Sequence, residues 1–177
     1  MLIQYAYQAS LRGLKTICFS PPPSTEDPPL ASLLPDSAGL DQDALLRIHM
    51  KYLDRGSDVL GACADMGGAD GEQAPHLIIV DGFERVYNHG PDAVPSLSVA
   101  LAQLSNLVSF WAEKHGPTEL LLSDHLGPDG KVQHLFVYER FVDAIYTLSP
   151  SAIWRVKPAT CTIAACASPW AVRFSTG

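Results

Sequence analysis

The chain has 177 residues, 47% of them hydrophobic and 18% charged, which suits one domain, residues 1–177, with a core of its own. Its net charge of −7 at pH 7 argues against a surface given over wholly to nucleic acid or to an anionic membrane, while leaving room for a local basic groove. The four cysteines, Cys18, Cys63, Cys161 and Cys166, show no C-x-x-C spacing, and Cys18 and Cys63 sit in apolar segments, so buried thiols in a reducing compartment are expected.

The opening "MLIQYAY" is too short and too uncharged for a secretory signal, and no apolar run approaches the ~20 residues that cross a bilayer, so a soluble intracellular protein with no membrane partner is expected. Leu2, Ile3, Tyr7 and Leu11 recur at near-helical spacing, with Gly13 placed to cap the helix. "LKTICFS", residues 14–20, is rich in β-formers and is halted by Pro21, Pro22 and Pro23. Residues 21–42 are rich in Pro, Ser and Asp, and a flexible loop is predicted there. In "RIHMKYL", residues 47–53, Ile48, Met50 and Tyr52 alternate with Arg47, His49 and Lys51, the pattern of a strand with one solvated face. A short helix is predicted in residues 54–66, starting near Ser57, followed by a Gly/Asp-rich linker.

"HLIIVDGFE", residues 76–84, reads as a fully buried parallel strand that delivers the Asp81 carboxylate at its end. In residues 92–116, Leu97, Leu101, Leu104, Val108 and Trp111 recur every three or four positions before a Gly116-Pro117 stop, predicting a long amphipathic helix. "ELLLSDH", residues 119–125, is a further apolar strand, and a short helix is expected in residues 135–141. "AIYTLS", "AIWRVK" and "WAVRFS" then look like successive strands with tight connections. The predicted fold is α/β: a mostly parallel sheet flanked by helices and continued by antiparallel C-terminal strands. Functional groups gather at the C-terminal ends of parallel strands, where Ser20, Asp81 with Gly82, and Ser123 with Asp124 fall.

Four aliphatic residues before Asp81 are what a Walker B strand uses to hold one carboxylate still for Mg²⁺ or water, although Asp also ends strands simply as a turn former. The phosphate loop that accompanies such a strand has no counterpart: "RGLKT" at residues 12–16 lacks paired glycines, and "GPDGKV" at residues 127–132 lacks the Ser/Thr after lysine. Glu84 reads as an auxiliary acid or, more simply, an exposed glutamate at a helix start. Ser123, Asp124 and His125 suggest a small α/β hydrolase, but successive strand residues face opposite sides and converge only through a bulge. Cys161 and Cys166 are spaced unlike zinc ligands, and no metal site is expected. Among the basic residues Arg85, Lys131, Arg140, Arg155, Lys157 and Arg173, the pair Lys131 and Arg140 is placed to touch phosphates if residues 126–134 sit above the sheet; a solvated face is the alternative. "FVDA", residues 141–144, fits a Phe-x-x-Ala motif by which recombinase subunits bind one another, but its apolar residues suit this domain's own core.

"HLIIVDGFERVY", the helix ending in "FWAEKHG" and the strand "ELLLSDH" are together similar to the central part of the RecA-like strand-exchange recombinases and their eukaryotic paralogues, a branch of the P-loop NTPases. More narrowly, "LDQDALLRIHMKYL", "PHLIIVDGFERVY" and "LFVYERFVDAIYTL" resemble the SWIM-domain-associated RecA-like proteins of the animal Shu complexes, and the similarity runs through most of the chain. The resemblance implies a nuclear factor in homologous recombination and DNA-damage repair. Such a factor pairs as a heterodimer with a SWIM-type zinc-finger protein, acts with strand-exchange recombinases and their paralogues, and binds single-stranded DNA. It makes residues 86–94 the first DNA-binding loop and residues 126–134 a shortened second one, with Lys131, Arg140 and Arg85 as DNA-binding candidates and Asp81 as a vestigial Walker B acid. The helix at residues 2–11 then matches the one just after the family's phosphate loop, so that the Walker A segment is missing and the core is N-terminally incomplete. Ser20-Pro21-Pro22-Pro23 stand where recombinases place a catalytic glutamate, leaving Glu26 or a partner to supply a base. ATP, Mg²⁺ and DNA-stimulated ATPase activity are implied for an intact family member. For these residues no cofactor, no catalytic residue and weak nucleotide binding are expected, with a partner chain needed for solubility.

Overall fold

The computed structural model describes residues 2–22, 39–53, 58–59, 61–62, 64–65, 74–87, 90–124, 131–149, 152–157 and 171–174. Helix α1, Leu2–Leu11, buries Ile3, Ala6, Tyr7, Ala9 and Ser10. Its buried face is therefore turned from the predicted stripe, and Leu11 is 46% exposed. The helix ends as Gly13 allows: at φ +83° the Gly13 N–H reaches the Ser10 carbonyl and the Leu14 N–H reaches back to Ala9, closing a Schellman turn. Strand β1, Thr16–Ser20, follows and stops at the prolines, as expected.

The loop expected over residues 21–42 is corrected at its C-terminal end, and residues 23–38 lie outside the described residues. Helix α2, Gln42–Leu45, starts within it because Asp41 Oδ1 accepts from the Asp43 and Ala44 N–H groups, a local N-cap. Strand β2, Ile48–Tyr52, leads on, with His49 and Lys51 exposed as the alternation predicted and Tyr52 exposed as well. Between residues 54 and 66 the described residues are helical. Strand β3, Leu77–Val80, is buried along its whole length, and a single turn of 3₁₀ helix, Phe83–Arg85, comes after it.

Helix α3, Ala93–His115, is 23 residues long. By length and composition it could cross a membrane, which the expectation of no sufficiently long apolar run overlooked. Its stripe of Leu97, Leu101, Leu104, Val108 and Trp111 is instead buried in the core. Gly116 ends it. Strand β4, Glu119–Leu122, is shorter than predicted, so Ser123 and Asp124 lie just past its end. Helix α4, Leu135–Phe141, and strands β5, Ala144–Ser149, β6, Ala152–Lys157, and β7, Ala171–Phe174, complete the order.

One seven-stranded sheet runs β2-β1-β3-β4-β7-β5-β6. The first four strands are mutually parallel, and β7, β5 and β6 continue it antiparallel. The successive strands expected from sequence are rearranged, because β7 sits between β4 and β5. Side chains alternate across the pleat. Cys18, Leu77, Ile79 and Leu121 pack under α1 and α2, while Ile17, Phe19, Ile78, Val80, Leu120 and Leu122 pack under α3 and α4. The result is an α/β fold with a four-stranded parallel sheet covered by helices on both faces, its strand ends brought to one edge.

Candidate functional site

Register brings Val80 of β3 beside Leu122 of β4, so the residues that follow, Asp81 and Ser123, emerge together. The Asp81 N–H still donates to the Phe19 carbonyl (2.8 Å), which extends the sheet one bond further while the carboxylate turns outward and is exposed. Gly82 then adopts φ +70°, ψ +51°, the left-handed turn that costs a side-chain-bearing residue about 1 kcal/mol or more. The turn aims the Gly82 N–H at Ser123 Oγ (2.8 Å). The Ser123 hydroxyl in turn donates to Asp81 Oδ1 at 2.6 Å. Main-chain bonds from Ser123 N–H to the Val80 carbonyl (2.9 Å) and from Phe83 N–H to the Ser123 carbonyl (2.6 Å) close the clamp. Ser123 is buried, so its hydroxyl is committed on both sides.

The Asp81 charge reaches Cys18 on the neighbouring strand. Burial first, and the Asp81 carboxylate second, push the Cys18 thiol up to about 12. Cys18 is a free, buried thiol inside the sheet.

Asp124 faces a different set of partners. Its Oδ2 accepts from the Tyr87 hydroxyl at 3.3 Å and from the Tyr138 hydroxyl in a shorter bond. Both rings pack on Phe83, with centroids 5.7 Å away for Tyr87 and 6.4 Å away for Tyr138. Burial, and after it the Asp124 charge, raise both phenols above the ordinary tyrosine range, so each remains a donor at any pH where the protein is folded and neutral to mildly alkaline.

These contacts correct several expectations. The Ser123 hydroxyl is bonded to Asp81 and the Asp124 carboxylate to two tyrosines, while His125, the partner of Asp124 in the acid–base reading, lies outside the described residues. Glu84 is half-buried in the 3₁₀ turn instead of exposed at a helix start. Val86 and Tyr87 are core residues, and Ala93 and Val94 already belong to α3, so the loop expected over residues 86–94 is shorter at both ends. Ser20 ends β1 with its carbonyl accepting from the Leu53 N–H. The Phe-x-x-Ala segment serves the domain itself: Phe141 packs against the core, and Ala144 is fully buried at the start of β5.

Lys131 is exposed just before α4, and Arg140 is exposed in its last turn. Arg85 lies in the 3₁₀ turn, and its side chain is outside the described residues, as are those of Arg155, Lys157 and Arg173 and the whole of Cys63, Cys161, Cys166 and Glu26. Tyr87 and Tyr138 were missed by sequence reasoning. Tyr87 and Phe83 are four residues apart in sequence, and their rings meet across the 3₁₀ turn, whereas nothing in the pattern around Tyr138 points to Asp124.

Asp81 offers a single carboxylate, the adjacent hydroxyl is already engaged, and no group of three metal-ligating side chains occurs among the described residues. In comparisons with known proteins, the chain matches no protein-family model and no curated protein.

Proposed function

We propose that this chain is a RecA-like recombination factor of the Shu-complex type, which pairs with a SWIM-type zinc-finger protein and helps load or stabilise strand-exchange recombinases on single-stranded DNA in the nucleus. The observation that carries the reading is the acid at the end of a wholly buried parallel strand, Asp81, clamped by Ser123 from the end of the next parallel strand. Such an acid, followed by a long core helix and a second apolar strand, is the order of the RecA-like core. The motifs quoted above supply the finer resemblance. The role proposed for these residues is assembly, with the Asp81 carboxylate held by Ser123 at the strand end. Asp81 therefore acts here as a structural relic of a Walker B position. Lys131 and Arg140 are the cations offered to a phosphate backbone, and a scaffold with no DNA contact is the competing role.

Co-expression with a SWIM-type zinc-finger protein, affinity capture and size-exclusion chromatography test the reading. A stable complex of defined stoichiometry is expected. Two proteins that elute apart would remove the Shu-type assignment and leave only the α/β fold.

A further inference from the structure

Helix α4 has little to hold it in place locally. It is seven residues long, far below the length at which an isolated helix persists in water. Its N-cap, His134, sits at φ +52° in the left-handed region and makes no side-chain capping bond. The position of the helix is therefore decided by what it buries. That is chiefly Val137 and Tyr138, at 2% and 1% exposure. Tyr138 reaches Asp124, and the same carboxylate oxygen accepts from Tyr87, two residues past the 3₁₀ turn that follows β3. Three separate elements, the end of β4, the turn after β3 and α4, thus meet on one oxygen, with Phe83 wedged against both rings.

The two cations of the proposed DNA face lie on either side of this anchor, Lys131 just before α4 and Arg140 two residues after Tyr138. We propose that Asp124 is a positioning residue for that face: by accepting both phenols it fixes α4 to the turn after β3, so that Lys131 and Arg140 meet a phosphate backbone as one rigid pair. The inference rests on the single-stranded DNA reading for its ligand, while the tyrosine–carboxylate staple stands on geometry alone. Pre-set cations bind better because less side-chain and helix freedom is lost on association. The staple touches no phosphate and acts only through α4.

The test uses residues 1–177 with a fluorescent oligodeoxythymidylate, anisotropy being followed across a salt series, and amide hydrogen exchange being measured on the same variants. Tyr138→Phe keeps the ring and its packing but removes the donor. It is expected to weaken binding about fivefold, to speed exchange across α4, and to have no further effect once Lys131→Ala and Arg140→Ala are present. Tyr87→Phe, a change in another element, is expected to speed exchange in α4 too. If the wild type binds with a salt-dependent affinity and Tyr138→Phe binds equally well, or its effect simply adds to that of the lysine and arginine changes, the positioning role is wrong and the DNA reading survives. If the wild type fails to bind at low salt, the DNA reading falls, and the staple is judged by exchange alone: faster α4 exchange in Tyr87→Phe upholds it, and unchanged exchange overturns it.

Discussion

The Ser123 hydroxyl donates a 2.6 Å hydrogen bond to Asp81 across the ends of two adjacent parallel strands. It also accepts from the Gly82 N–H, so one buried oxygen holds both the carboxylate and the turn that presents it. Replacing it therefore does more than remove a contact. Ser123→Ala leaves the Gly82 N–H without its acceptor and the Asp81 carboxylate without its donor. A loss of about 2 kcal/mol in unfolding free energy is expected, because the bond to the carboxylate is charge-assisted. Urea denaturation of Ser123→Ala, Asp81→Ala and the double variant reads the coupling directly. Strict additivity of the two single changes would mean that the bond contributes nothing in solution.

Thr16 presents a contrasting case. Its hydroxyl is buried at the start of β1 and has no hydrogen-bond partner among the described residues. Valine has the same shape without the polar atom, and β-branching suits the strand equally. Thr16→Val is thus expected to stabilise the fold by about 1 kcal/mol, the approximate cost of desolvating a hydroxyl for no return. An unchanged or lowered midpoint in urea would show that this oxygen is satisfied after all.

The tyrosine pair makes the fold sensitive to alkali in a definite direction. Tyr87 and Tyr138 ionise far less readily when folded than in the unfolded chain, because of burial and then the Asp124 charge. Their folded pKa values lie above the unfolded value of about 10, so the folded state holds more protons above that pH. The stability these groups contribute is complete below about pH 10 and declines as pH rises beyond it. Tyrosinate absorbance near 295 nm during alkaline titration should show a late phase that coincides with unfolding and shrinks in Tyr87→Phe and Tyr138→Phe. A wild-type titration in which all tyrosines ionise early, with the fold intact, would contradict the buried network.

The parts of the fold legible in sequence were those with strong local signals. The four aliphatic residues before Asp81 read as a buried strand, the three- to four-residue repeat from Leu97 to Trp111 reads as a helix with one apolar face, and Gly13 and Gly116 mark helix ends through their backbone freedom. The short elements were less legible. Helix α2 depends on a single capping aspartate, Asp41, inside a stretch whose composition reads as loop. Strand β4 stops at Leu122 although "LLLSD" offers no breaker, since Ser123 turns its hydroxyl to Asp81.

By itself, then, the sequence determined the α/β class, the order of the main elements and the position of Asp81 at a strand end, because each of these follows from the periodicity of side chains only a few residues apart. Tertiary structure alone decided what each polar group does. Ser123 and Asp124 are neighbours in sequence yet serve different partners, and Tyr87 and Tyr138, far apart in the chain, share one carboxylate oxygen. It also decided that β7 enters the sheet between β4 and β5. Local patterning sets which way a side chain faces, whereas what it meets there depends on strand order and register, which are settled only when distant segments pack.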